Sequence, residues 1–377
     1  MELSTNRRFH FFVYCMFCFN KKKQIRVSVC VPVCGTEGVL TRCLESLAAQ
    51  NFEGLEIVVV DDSGRASKAA GGLSAKKVVR DFKKELKNHP AKYRPFVKFI
   101  AHEENKALVE ARRSALYEAS GKYLMFVDSD DCLLPGAVET LYVAADRKGA
   151  RIVQGRAEIF CREENKNTDR FLEIYKKINN VFLGGAEDCV QNKEGSLTGK
   201  EILEGFLIKR NHNGFLWGKI FERELCLEAF DKIPPVYCVF GEDFLTYFFI
   251  ALCAAKSSSK YAGIEQKVYL YSTGTGISSD KKIKTLEEWK KVCSAASACT
   301  VLLDYLENLN NNGENSWVTE DMAEEIKAVC RYYAKNNLQQ LNGSVVPELR
   351  DEAYRELCRW WGEGMVKTME ATLRQNS

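Results

Sequence analysis

From Arg26 onward the chain alternates short β-branched runs with stretches whose apolar residues recur at helical spacing, and this alternation restricts its folds most sharply. Val27 to Val33 reads as a buried strand. Leu40, Cys43, Leu44 and Leu47 follow at helical intervals, and Leu55 to Val60 is a second apolar run that stops at Asp61-Asp62-Ser63. Val97 to Ala101 reads as a third strand, and Leu108, Ala111, Ala115, Leu116 and Ala119 as a helix face closed by Gly121. Tyr123 to Val127 is a fourth strand, stopping at Asp128-Ser129-Asp130-Asp131. Repeated strand, helix and strand builds βαβ crossovers, so the expected class is α/β: a Rossmann-like, mostly parallel sheet flanked by helices.

Between these elements, residues 64–95 are polar and basic, with Val78, Val79, Phe82 and Leu86 as a helical face. Pro135 opens a helix through Val138, Leu141 and Ala145, and Ile152-Val153 resumes the sheet. From about 161 to 196 the chain is charged, Asn-rich and without a period, which marks an insertion or loop region. Thr198 to Ile208 reads as a helix, Gly241-Glu242-Asp243 leads into the apolar helix Phe244 to Ala255, and Tyr269 to Tyr271 is a short strand. Thr285 to Glu288 forms a capping box that opens a helix to about Leu309. Two more helical stretches, about 318–337 and 346–372, complete a C-terminal helical segment. The expected division is an apolar and basic extension (1–25), an α/β domain (26–280, in halves 26–155 and 156–280) and a helical C-terminal region (281–377).

Composition excludes several classes. With 46% hydrophobic residues, 377 residues can bury sizeable cores, and a net charge of +3 creates no field that would imply nucleic acid as a partner. The 15 cysteines fall well short of the roughly 8–10% that marks a disulfide scaffold. Several, such as Cys30 and Cys253, sit inside apolar runs as small hydrophobes, which points to a reducing compartment. Cys15-Met16-Phe17-Cys18 has metal-site spacing but lacks a second pair and a nearby His. The apolar run Phe9 to Phe19, flanked by Arg7-Arg8 and Lys21 to Lys23, is too short to cross a hydrocarbon core of about 30 Å. Peripheral contact with a membrane surface is one reading of it, and an upstream extension without function the other.

The two acid clusters carry the chemistry. Parallel strands bring both ends to one edge, the edge where open α/β sheets bind ligands. Carboxylates gathered there repel unless a cation or donor groups meet them. Asp128 and Asp130, two residues apart, supply hard oxygens suited to Mg²⁺ or Mn²⁺ bridging to a diphosphate. A single acidic turn is more often a cap or a solvated loop; two on one edge favour function.

Val27 to Val33, Val58-Val59-Val60-Asp61-Asp62-Ser63, Glu110 to Arg113 and Gly121 to Asp131 stand in an order and spacing that resemble the nucleotide-sugar domain of family 2 glycosyltransferases. The resemblance covers about 26–155 and continues weakly to about 280 through Trp217-Gly218-Lys219, Gly241-Glu242-Asp243 and Tyr269 to Ser272. It departs from the family pattern at Cys34-Gly35, Ala107 and Arg113.

That resemblance implies a GT-A fold and an inverting transfer from a nucleoside-diphospho-sugar, a UDP-sugar being favoured, to a glycan or lipid-linked saccharide. Asp62 or Asp61 would accept from the nucleobase, and Pro32 and Val33 would line its pocket. Glu37 lies where nucleotide contacts occur, although a structural role is equally compatible. Asp128 and the adjoining Ser129 would face the ribose or donor sugar, Asp130 would be the metal ligand, and Arg112 would approach the donor or form an ion pair. Asp243 would be the base, its pKa lowered by the helix N-terminus; capping the helix is the alternative. Trp217 and Tyr237 are either acceptor-stacking or core residues, and His89, His102 and His212 receive no role. The implied setting is cytoplasmic surface-polysaccharide or glycoconjugate synthesis, with the inner membrane surface as its expected place. Two rivals stand beside it: a nucleotidyltransferase, which would need a basic residue where Glu37 stands, and a non-catalytic nucleotide-sugar- or glycan-binding protein, which would lack a base or metal ligand.

Overall fold

The computed structural model describes residues 24–64, 73–161, 195–273, 282–312 and 317–375. The N-terminal extension with Cys15 and Cys18, and nearly all of the expected insertion, lie outside them.

The β-branched runs form the centre of one sheet because every residue of β1 (Val27–Val33) is buried, as are all but the last of β2 (Leu55–Asp61). β1 pairs in parallel with β2 on one side and with β4 (Tyr123–Phe126) on the other, and β3 (Phe96–Ala101) joins β2 in parallel at the sheet edge. The connections are helical: α1 (Glu37–Ala48) buries Leu40, Cys43, Leu44 and Leu47. In α2 (Ala75–Glu85), Val78, Val79 and Phe82 are buried, and Ser74 caps the first turn by accepting from the Lys77 N–H. α3 (Ala107–Glu118) runs between β3 and β4. Close packing at the opposite end of the sheet calls for Gly121, where a Cβ would lie 2.7 Å from the Ser28 nitrogen. Ser28 and Ser120 there both donate to the buried Glu56 carboxylate.

The second half is mixed. β8 (Lys219–Glu222) runs antiparallel to β4 and to β6 (Ile152–Cys161), and β6 pairs in parallel with β9 (Lys260–Thr273). β5 (Cys132–Leu133) and β7 (Gly195–Thr198) add antiparallel to β9. The longest ladders are parallel, as expected. β9 spans 14 residues rather than three, and the two residues of β5 are too few to show a sequence period. Helices α4 (Ala137–Lys148), α5 (Lys200–Leu207), α6 (Arg223–Phe230) and α7 (Glu242–Lys256) pack around this half.

Beyond the sheet lie α8 (Leu286–Cys293), α9 (Ala295–Asn312), α10 (Glu320–Gly343), α11 (Arg350–Trp361) and α12 (Glu363–Gln375). The capping box at Thr285 forms, but the single helix expected to follow breaks at Ser294 into α8 and α9. Leu302 and Leu306 of α9 and Met322 and Ile326 of α10 belong to the same apolar core as the sheet. A second core forms around the buried Trp289, with Leu338, Leu341, Ala353 and Leu357, and the Trp289 indole donates to the Ala353 carbonyl at 2.8 Å. Among the described residues no helix is long and apolar enough to cross a membrane.

Candidate active site

Parallel pairing puts the C-terminal ends of β1, β2 and β4 on one edge, and the two acid clusters meet there. Pro32 and Val33 end β1 opposite Val60 and Asp61 of β2. The Asp61 carboxylate accepts from the Ser63 N–H at 3.1 Å, closing a tight turn. Glu37, at the start of α1, is 3% exposed; one carboxylate oxygen accepts from the Ser63 hydroxyl at 2.8 Å, while the other is buried without a hydrogen-bond partner. Its unpaired oxygen marks Glu37 as more than a closed structural contact, because a buried acceptor left unmade is costly.

Asp62 is 3% exposed, and its backbone N–H donates to the Val33 carbonyl at 2.8 Å. Its carboxylate lies 2.6 Å from His102 Nδ1 and accepts from the Lys106 N–H at 2.9 Å, at the start of α3. Burial pushes the Asp62 pKa up, against the downward pull of His102 and the two helix-end N–H groups of Lys106 and Ala107. Ala107 takes a φ of 71° there, in the left-handed region that favours glycine, so one of the departures from the family pattern falls on a strained position. His102 thus acquires a partner that its isolated place in the sequence gave no means of finding.

At the end of β4 the four polar residues divide their work. Asp128 is partly exposed, and its carboxylate lies 3.0 Å from an Arg112 nitrogen. Ser129 is buried, with its hydroxyl 2.5 Å from that of Thr36. The Asp130 carbonyl accepts from Arg42 at 2.6 Å, and the same guanidinium nitrogen donates to the Ser272 hydroxyl at 2.6 Å, tying α1, the acid cluster and β9 together. Asp131, fully buried, accepts from the Tyr269 hydroxyl at 2.7 Å and the Ser272 N–H at 2.6 Å. Burial, reinforced by Asp128 and Asp130, pushes its pKa well up. Asp131 therefore fastens the cluster to β9, which leaves the half-buried Asp128 and Asp130 to face the edge.

Facing them is the start of α7, whose backbone turns in through Gly241 at a φ of 84°. Arg112, 1% exposed, joins the two sides: one nitrogen donates to Asp243 at 3.0 Å and also to Glu242, the other to Asp128 at 3.0 Å. Of the two roles expected for Arg112, this geometry is the ion pair. Burial raises the Asp243 pKa, opposed by Arg112 and assisted by Asp128, so the lowering expected from the helix end does not prevail. Glu242, wholly buried, is driven further up by the same causes. Arg113 donates to the Phe230 and Ile233 carbonyls at 2.6 and 2.8 Å, anchoring the chain between α6 and α7.

Trp217 proves to be a core residue, 5% exposed and stacked between Phe215 at 4.6 Å and Tyr269 at 5.0 Å. Tyr237 is half-buried with its ring 6.3 Å from that of Trp360. His212 is buried between the Ile202 carbonyl and the Tyr247 hydroxyl. Lys219 is likewise buried; its ammonium donates to Asn213 at 2.6 Å and to the Phe215 carbonyl, and burial pulls its pKa well down.

Among the described residues no three His, Cys, Asp or Glu side chains form a ready-made metal cage. The two β4-end carboxylates, Asp128 and Asp130, nonetheless suit a hard cation that completes its shell with substrate phosphate oxygens, the usual arrangement for Mg²⁺.

A mostly parallel sheet with acid-ended strands facing a helix that opens with Glu-Asp is the arrangement expected from the sequence resemblance. Residues 28–192 match the family model of glycosyl transferase family 2. The chain is 34% identical to glycosyltransferase GlyA of Streptococcus pneumoniae, over 37% of this chain and 18% of the relative. It is 24% identical to the GalNAc(5)-diNAcBac-PP-undecaprenol beta-1,3-glucosyltransferase of Campylobacter jejuni, over 72% of this chain and 80% of that protein. Among solved structures, S. aureus TarS 1-349 in complex with UDP aligns with 93% of this chain and 92% of its own at 17% identity and a TM-score of 0.48. The chain spans 18% and 38% of the lengths of the two pneumococcal relatives GlyA and GlyG.

Proposed function

We propose that this protein transfers a sugar from a nucleoside-diphospho-sugar, a UDP-sugar by preference, to a saccharide hydroxyl with inversion at the anomeric carbon. The observation that carries this reading is the convergence of Asp128 and Asp243 on Arg112, which sets the acid end of β4 against the start of α7. Asp243, 24% exposed, takes the acceptor proton as the hydroxyl attacks. Its raised pKa makes it a stronger base than an ordinary carboxylate. Glu37, Asp61 and Asp62, with Pro32 and Val33, form the nucleotide end, and Asp128 and Ser129 the sugar end. Asp130 would hold Mn²⁺ or Mg²⁺ together with the diphosphate, and that cation supplies neutralising charge to the leaving group. The Campylobacter relative, named for an undecaprenol-linked saccharide, supports an acceptor of the lipid-linked class and a role in glycoconjugate or surface-polysaccharide synthesis.

Calorimetric titration with UDP, GDP and CMP, each with and without Mn²⁺, tests the reading without an acceptor. Metal-dependent binding of one nucleoside diphosphate is expected; binding of none overturns the proposal.

A further inference from the structure

The family match ends at residue 192, yet the loop that delivers Asp243 is held by the C-terminal helices. Ser294 stands at the break between α8 and α9 and is wholly buried. Its hydroxyl donates to the Lys291 carbonyl at 2.6 Å and accepts from two consecutive backbone N–H groups, those of Val239 at 2.9 Å and Phe240 at 3.2 Å. Those groups lie immediately before Gly241, Glu242 and Asp243. Tyr333 of α10 closes the other side: its ring meets that of Phe240 at 5.4 Å, and a Cβ on Gly241 would stand 3.0 Å from it. On the remaining side, the Val109 N–H in the first turn of α3 donates to the Cys238 carbonyl at 3.4 Å. Loop residues 238–241 are thus held from three directions, and two of those holds come from outside the matched domain.

A serine accepting two adjacent N–H groups fixes the orientation of both peptide units, and the helix that follows inherits that orientation. Catalysis by a positioned base depends steeply on such placement, a displacement of about 1 Å costing on the order of a hundredfold. We propose that Ser294 is a positioning residue for Asp243, so that the helical segment beyond residue 285 is a working part of the transfer site. The inference rests on Asp243 as the base.

The test compares Ser294→Ala with the wild-type full chain in three measurements. The first is Mn²⁺-dependent nucleoside diphosphate binding. The second is release of UDP or GDP from UDP-glucose, UDP-N-acetylglucosamine and GDP-mannose, with water standing in for the acceptor. The third is the pH dependence of that release. We expect nucleotide affinity to stay within about twofold, the maximal rate to fall about tenfold or more, and the acid limb of the pH profile to move as the base is displaced. Tyr333→Leu, which loosens the same loop without touching Ser294, is expected to give the same pattern in weaker form and serves if Ser294→Ala does not fold. An unchanged rate and pH profile in a folded variant overturns the inference, as does a parallel loss of nucleotide binding and rate. A wild-type chain that binds no nucleotide overturns instead the reading on which it rests.

Discussion

Asp128 and Asp243 lie 115 positions apart in the sequence, yet each accepts a hydrogen bond from Arg112 at 3.0 Å. They come from the end of β4 and the start of α7, so the guanidinium connects the two sides of the site as well as neutralising them. Glu242 is a third carboxylate on the same cation.

Removing that cation would strand buried negative charge. Arg112→Met is expected to lower the unfolding free energy by about 3 kcal/mol or more, the usual cost of breaking a buried ion pair from one side. Chemical denaturation measures it. Adding Glu242→Gln should recover part of the loss; a double variant no more stable than the single one would mean that Glu242 is not the carboxylate left unpaired.

Asp243→Asn and Asp130→Asn should separate the two ends of the site. The first is expected to lower transfer by about a hundredfold or more while nucleotide binding persists, because only the proton acceptor is lost. The second is expected to lose the Mn²⁺-dependent part of nucleotide affinity. Calorimetry on both variants decides, and identical behaviour would remove the division of labour.

His212 sets a pH dependence of stability. Burial pulls its pKa down to about 3, below an unfolded value of 6.5, so the unfolded chain binds the proton first as the pH falls. Stability from the neutral ring is therefore full above pH 6.5 and is lost progressively toward pH 3, by about 1.4 kcal/mol per unit within that window. Melting temperatures at pH 7 and 5 should fall further apart for the wild type than for His212→Gln. Equal slopes would refute the assignment.

The strands and their acidic ends were legible because each signal is local: a β-branched run buried on both faces, then an abrupt stop. Asp61, Asp62, Asp128 and Asp130 could therefore be placed on one edge from spacing alone. The Arg112 clamp could not, since it joins residues 16 and 131 positions away and depends on how two halves fold together. The His102 contact with Asp62 and the Asp131 anchor to Tyr269 escaped for the same reason. The rise in the Asp243 pKa was hidden because a helix end is visible in sequence and the depth of burial is not. The break at Ser294 left no trace either, as serine is tolerated within helices and its contacts with Val239 and Phe240 are tertiary.

Arg112 meets three carboxylates, so this part of the site already carries an excess of potential negative charge. A bare diphosphate arriving there would add to it; one arriving with a divalent cation would offset it. Affinity for the nucleotide and affinity for the ion are then reciprocal quantities, each enhancing the other by the same factor. If the site takes a nucleoside diphosphate, it would select the metal-bound pair over either member alone, and its occupancy would follow the product of their concentrations.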